Sequence, residues 1–443
     1  MVREQAFPVE TANSVPALVE FFLDHNLGKA RSDYVKAECA YHLWRHATHG
    51  KSNRSEIIKL GALHKLVETA DKGDKHACYH ALGCLTQFVD SEDFKTMILA
   101  YTGAKLIRCL GESLNNVNHT RTQLQASHIL WSIANNAETT VRVVPIVNKL
   151  VEALHISGPS WGISKAIVIC TQVCQALTRV ATLAAGSEAQ STLTTGGYSG
   201  GRKNSVRKEM ITLGVVGNCV EVMKFSGAPA SSAPPPTDST QPAAVTNPVE
   251  EVKVAALATI YALLDEPTCI VELRKIPGAL ACLSKALALN SVDAKAHAAG
   301  AMLQFSENRE HAMEIGRSKG AIKELVSMLS TQQEKKSKKK KKKSKKGGGE
   351  DAPATGAALC LENAAGLLFQ LTACEENTEG MVKEGAIPVL VGLLKSKGSK
   401  SLAVIQHSTC ILAAIGLNEK YHEMLKEAGA PPYLLKALEE KEE

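Results

Sequence analysis

Aromatic residues are scarce in this chain: Phe, Tyr and Trp make up 4% of 443 residues, against 44% hydrophobic. A β-sandwich or barrel draws its core from β-branched and aromatic side chains, so the scarcity argues against both. Ala, Leu, Val and Ile must fill the interior, which favours close-packed helices. None of the 12 cysteines forms a CxxC pair, and their scatter gives no paired zinc-ligand spacing. They read as free thiols of a reduced compartment. No apolar run approaches the roughly 20 residues that a membrane span needs. The opening, MVREQAFPVETANSVPALVEFF, carries acidic residues and no continuous apolar stretch, unlike a secretory signal. Val2 stands where myristoylation requires Gly.

Reaction motifs are missing as well. There is no G-x-S-x-G and no H-E-x-x-H. TTGGYSGGRKNS spaces Gly196 and Gly201 like a phosphate loop, but Arg202, Lys203 and Asn204 follow where Lys and then Ser or Thr are required. We expect no catalysis, no cofactor and no metal. Cys170 and Cys174, one helical turn apart, read as buried small hydrophobes.

What is present begins with charge. EKKSKKKKKKSKKGGGED holds Lys335, Lys336, Lys338, Lys339, Lys340, Lys341, Lys342, Lys343, Lys345 and Lys346. The formal net charge is +6, and without those ten lysines it is −4, so the rest of the chain is mildly acidic. No aromatic residue interleaves with the run, which leaves no platform for base stacking and excludes a sequence-specific nucleic-acid reader.

The second feature is a repeat. EGAIPVLVGLL (Glu384 to Leu394), KGAIKELVSML (Lys319 to Leu329), LGALHKLVETA (Leu60 to Ala70), PGALACLSKAL (Pro277 to Leu287) and AGAPPYLLKAL (Ala428 to Leu438) share a Gly-Ala followed by a helical apolar stripe. The Gly suits a sharp turn between two helices, where positive φ costs it little. Weaker copies begin at Asn13, Gly103, Pro145 and Gly214. Anchors 61, 103 and 145 lie 42 apart, as do 278 and 320. A second block, AAGAMLQF from Ala298, matches AAGLLFQL from Ala364; its small residues allow close helix approach while Leu, Met and Phe fill a core.

A Gly-Ala helix, a longer helix carrying A-A-G-x-φ-φ-Q-φ and a period near 42 resemble the armadillo repeat. HEAT repeats share the architecture and stay open as the alternative. The fold implied is all-α: a right-handed armadillo/HEAT-like superhelical solenoid of about eight repeats plus a terminal partial repeat. Three disordered insertions are expected, because none can bury enough apolar surface to offset its ordering entropy. The organisation read this way is 1–185 N-terminal repeats, 186–205 a Gly/Ser/Thr-rich insertion and 206–225 a middle repeat helix. A Pro/Ser/Ala-rich insertion follows at 226–248, repeats at 249–330, the polylysine insertion at 331–356 and C-terminal repeats with a cap at 357–443.

The resemblance implies that each repeat's third helix lines a concave groove for a protein partner. Importin-alpha-like members place Trp-x-x-x-Asn there. In this chain the Asn column reads His46, Cys84, Ser132, Arg179, Ala262, Gln304, Gln370 and Ala414. Four residues earlier stand His42, His80, His128, Gln175, Ala258, Gly300, Gly366 and Cys410. Neither column contains Asn or Trp, which disfavours nuclear transport. Trp131 of WSIAN falls three residues out of register and is expected between helices. His42, His80 and His128 are expected to face a partner across repeats one to three, with His46, Cys84, Ser132, Arg179, Gln304 and Gln370 completing the surface. Cys39, His42, His46, His49 and His76, His80, Cys84 form helical stripes. Residues i and i+4 can chelate a metal, but a polar stripe facing the groove is the commoner outcome.

The function expected is a non-enzymatic interaction scaffold or adaptor. A microtubule or ciliary component docking through the lysines is the alternative, with tubulin tails, anionic lipid or RNA as the acidic partner. The expected location is the cytoplasm, with cytoskeleton, cilium and nucleus left open by the lysine run.

Overall fold

The computed structural model describes residues 9–24, 33–116, 119–156, 163–185, 205–224, 247–330, 355–395 and 401–439. Every described element is an α- or 3-10 helix. Three helices recur in one order. A short first helix leads to a hairpin glycine, a second helix follows, and a longer third closes the repeat. Lys51–Lys59, Ala62–Lys72 and Lys75–Val89 form one such set, and Glu375–Lys383, Ala386–Lys395 and Leu402–Gly416 another.

The hairpin forms where the sequence places its glycines. Gly61, Gly214, Gly278, Gly320, Gly385 and Gly429 all have φ between 76° and 87°, the left-handed region that a side chain penalises. At Gly61 the turn is closed by Leu60 N–H donating to the Glu56 carbonyl at 3.0 Å and Gly61 N–H to the Ile58 carbonyl at 2.9 Å. Two of the carbonyls left open by the ending helix thus gain donors.

Two anchors behave differently. Gly103 makes no turn, because Glu92–Leu114 runs as one helix of 23 residues. The buried stripe Ile98, Thr102, Leu106, Cys109 and Ser113 continues at spacings of four and three straight past it, so no change of phase calls for a hairpin. Pro145 lies within the 3-10 helix Val141–Ile146, which runs directly into Val147–Ile156. Its ring fixes φ negative, so it cannot take the glycine's role.

The chain divides into two compact units, Met1–Val222 with Ser226–Ala255 and Met223–Phe225 with Ala256–Glu443. In the first, the long helices Asp33–Thr48, Lys75–Val89, Thr120–Ala134 and Ile163–Ala185 pack each on the next. In the second, Val292–Phe305 packs on Thr355–Leu371, and that on Leu402–Gly416. Small residues stand at the crossings, as the A-A-G block implies: Ala298, Ala299 and Gly300 are buried, and so are Ala364, Ala365 and Gly366. Larger side chains such as Met302 and Leu368 are buried on the same helices, each contributing about 1.5–3 kcal/mol.

Polar side chains tie one repeat to the next through backbone carbonyls, some of them at helix ends. Ser132 Oγ donates to the Val89 carbonyl at 2.7 Å, Asn363 Nδ2 to Ala296 at 2.8 Å and Arg207 Nε to Ala181 at 2.9 Å. Asn377 Nδ2 reaches both Ala312 and Leu371 carbonyls, at 3.0 and 3.1 Å. A helix end buried without such a donor would be costly.

One apolar stretch escaped the sequence reading. Ala166–Ala184, within the helix Ile163–Ala185, is long and apolar enough to cross a membrane. Thr171, Gln172, Gln175 and Arg179 interrupt it and hide its length from a search for continuous apolar residues. The helix packs on Thr120–Ala134 and Val147–Ile156 and buries Ile169, Val173, Ala176, Leu177 and Val180, so it serves as a core helix of its unit. Cys170 and Cys174 are buried in it as expected. The insertions read at 186–205, 226–248 and 331–356, and with them all ten lysines of the run, lie outside the described residues except for their end positions.

Candidate partner-binding surface

On Asp33–Thr48 and Lys75–Val89 the residues left accessible include Tyr41, His42, Tyr79 and His80. Their placement follows from the helical period: Cys39, Ala40, Leu43 and Ala47 turn inward, as do Ala77, Ala81, Leu82 and Leu85, and the side chains between them face out. Trp44 crosses from the first helix to the second. A Cβ at Gly83 would lie 2.8 Å from its indole, closer than carbon atoms approach, so the glycine is what lets the ring lie flat over the backbone.

The rings form one connected patch. Tyr41 stands between the two imidazoles, 5.2 Å from His42 and 5.3 Å from His80. Trp44 meets Tyr79 edge-on at 5.5 Å, and Tyr79 lies 5.2 Å from His80, the edge-to-face range in which ring quadrupoles attract. Arg121, on the next long helix, sets its guanidinium 6.0 Å from the Tyr79 ring. Burial holds the pKa of His42 below the ordinary imidazole value, against the pull of Glu38, whose carboxylate is 3.7 Å away. Burial also lowers His80, helped by the like charge of His76. The Nδ1 atom of His80 is buried with no hydrogen-bond partner.

His128 stands apart from these rings. Gln172 Nε2 donates to its Nδ1 at 3.3 Å, so its Nε2–H faces Asp90 Oδ1 at 3.2 Å. Its ring lies 5.5 Å from Trp131. Trp131 is partly buried.

The column in the Asn position divides. Cys84 is fully buried and burial drives its thiol pKa far up; it is withdrawn from the surface. Ser132 is buried on the Val89 carbonyl and is withdrawn too. Four residues on from His80 or His128 advance the side chain about 40° around the helix, and that rotation carries it into the packed interior. His46 is half-buried and donates from Nε2 to the Ala12 carbonyl at 2.7 Å, a tie to the N-terminal segment. Arg179 is exposed. Gln304 and Gln370 are half-buried on two successive long helices of the second unit.

Metal-ligand geometry does not assemble among the described residues, where no group of three or more His, Cys, Asp or Glu could hold an ion. Cys39 and Cys84 point into the core, with Cys39 pushed up to about 12 by burial, and Tyr41 separates His42 from His80.

In the second unit the same devices recur where no site residue was read. Tyr261 covers Gly300, whose Cβ would lie 2.4 Å from the phenol ring, and lies tilted against His297 at 4.9 Å. Phe369 stacks on His407 at 5.6 Å. Burial lowers the pKa of both imidazoles and leaves both Nδ1 atoms unpartnered. Tyr41, Trp44 and Tyr79 were missed for one reason: a ring's partner sits on the adjacent repeat, about 40 residues away, and single-helix periodicity is blind to it.

No protein-family model matches the sequence, and neither does any curated protein. Among solved structures, the chain is similar to an engineered protein from the Northeast Structural Genomics Consortium, with a TM-score of 0.55, 19% identity, and 95% of this chain and 93% of that one covered. A computationally designed armadillo repeat protein for modular peptide recognition aligns at a TM-score of 0.41 and 20% identity, over 66% of this chain and 91% of that one. Together with the three-helix repeats described above, the fold of the chain is the armadillo-like helical repeat.

Proposed function

We propose that this protein is a non-enzymatic interaction scaffold that holds a protein partner on the long helices of its first three repeats. The observation that carries the reading is the Tyr41–His42–Trp44–Tyr79–His80 patch. Large rings held by their neighbours lose little entropy when a partner covers them. His128, Trp131 and Arg179 extend the surface along the next two long helices. Gln304 and Gln370 give the second unit side-chain amides that can both donate to and accept from a peptide backbone.

Proximity labelling in cells tests it. The wild-type chain is compared with the His42→Ala/His80→Ala/His128→Ala variant and with a Trp44→Ala/Tyr79→Ala variant, each first shown by circular dichroism to be folded. Loss of the same set of neighbours from both variants supports the reading. An unchanged set from both ends it.

A second reading rests on charge. Ten lysines lie in a chain otherwise at −4, and such a run attracts acidic partners such as tubulin tails, placing the protein at microtubules or cilia. That contact would weaken steeply as salt rises.

A further inference from the structure

Charge is distributed unevenly over the helices of the first unit. Arg45, Arg121 and Arg179 stand exposed on Asp33–Thr48, Thr120–Ala134 and Ile163–Ala185, and none of them forms an ion pair among the described residues. On Ala62–Lys72, Glu92–Leu114 and Val147–Ile156, by contrast, Lys65 pairs with Glu68 at 3.3 Å, Arg108 with Asp71 at 3.7 Å and Lys149 with Glu152 at 3.1 Å. Carboxylates beside the long helices are engaged elsewhere. Glu38 lies 3.7 Å from His42, Asp90 lies 3.2 Å from His128, and Asp74 accepts from the His76 and Ala77 backbone N–H groups at 3.1 and 2.8 Å. Without its lysine run the chain stands at −4, so three unmatched guanidinium groups on one set of helices run against the balance of the molecule.

Two of the three flank the ring patch. Arg45 follows Tyr41 by four residues and His42 by three, one turn along the same side of the helix, and its charge acts on the His42 imidazole. Arg121 holds its guanidinium 6.0 Å from the Tyr79 ring, a position the ring itself favours. A protein segment that covers Tyr41, Trp44 and Tyr79 must therefore cover these two groups as well. Burying a guanidinium without a counter-charge is costly, whereas a carboxylate can meet it through two parallel N–H···O bonds. Tyr, Trp and Arg are also the side chains on which binding energy concentrates at protein interfaces.

We propose that the partner segment held on this surface is acidic: a peptide with a carboxylate on each side of an apolar residue, the carboxylates meeting Arg45 and Arg121 and the apolar residue covering Tyr41 and Trp44. A further carboxylate along the peptide meets Arg179. This rests on the scaffold reading of the first three repeats and adds the chemistry of the partner. The rings take up the apolar residue, and the arginines set the sign of what surrounds it. A basic segment would bring like charge against Arg45 and Arg121 and leave both without a counter-ion. Glu38 opposes an acidic segment, one charge against the two that flank the rings.

Selection from a random peptide library displayed on phage, against the immobilised 443-residue chain, tests this. The enriched peptides are then labelled and titrated by fluorescence anisotropy. Sequences with Asp or Glu on both sides of an apolar residue are expected. The Arg45→Gln/Arg121→Gln variant should bind them about ten-fold or more weakly; both arginines are exposed, so its thermal midpoint should not move. Deleting Lys335–Lys346 should leave this binding in place. Enriched peptides without acidic residues overturn the proposal, and their affinity for the Trp44→Ala/Tyr79→Ala variant then separates the two readings: a loss keeps the surface, no loss removes it too. Acidic peptides that bind the double arginine variant as they bind wild type, or whose binding disappears with the lysine run, also overturn it. So does a library from which nothing is enriched.

Discussion

Glycine does two opposite jobs at the residue scale. Gly83 and Gly300 are helical and buried, and each admits a ring from the repeat before it: Trp44 over one, Tyr261 over the other. A methyl group there has nowhere to go. Gly83→Ala and Gly300→Ala should each destabilise by about 1–3 kcal/mol through overpacking, despite the better helix propensity of Ala; urea midpoints at constant m check this. The histidines give a second prediction. Burial lowers the folded-state pKa of His42, His80, His297 and His407 below the unfolded value of 6.5. Above 6.5 both states are neutral and stability is complete. As pH falls below 6.5 the unfolded chain binds protons first, so stability drops until the folded imidazoles also titrate. The thermal midpoint should therefore fall between pH 7 and pH 5, and less steeply in a His80→Phe/His297→Phe variant, which keeps a ring at each site and removes the titration.

At the scale of the element, the same Gly motif ends one helix and passes unnoticed in another. Gly385 has φ of 76° and a Cβ there would meet nothing; the penalty for a side chain is conformational, not steric with neighbours. Gly103 lies inside Glu92–Leu114, also with open space around its Cβ position. Gly103→Ala should thus stabilise by about 0.5–1 kcal/mol, and Gly385→Ala should destabilise by at least that amount. Parallel thermal melts of the two variants should move in opposite directions. If Gly103→Ala also destabilises, a hairpin forms there and the continuous helix is wrong. What decides between the two glycines is the buried stripe: it runs in phase through residue 103, and a helix whose apolar face is continuous has no reason to turn.

For the whole molecule the balance of charge is the informative quantity. Removing Lys335–Lys346 takes the formal charge from +6 to −4 without touching any described repeat. The helical circular dichroism of that deletion variant should match wild type. Cosedimentation with microtubules, if it occurs, should be lost on the deletion and should fall in wild type as salt rises from about 50 to 200 mM. Salt-insensitive pelleting, or pelleting that survives the deletion, would assign the contact to the repeats.

Much of this architecture was legible in the residues. Low aromatic content, Gly-Ala hairpins and A-A-G helices recur at a fixed period, and each is a local consequence of what one helix and one turn require. That determined the all-α class, six of the hairpins and the faces carrying His42, His80 and His128. Tertiary structure alone decided the rest. Gly103 became helical because of a stripe that neighbouring helices bury, and Cys84 and Ser132 went inside because a rotation of about 40° separates solvent from core. Trp44 reached across to Gly83. Periodicity reports which way a side chain leaves its own helix. What it then meets belongs to another repeat, brought near only when the stack has formed.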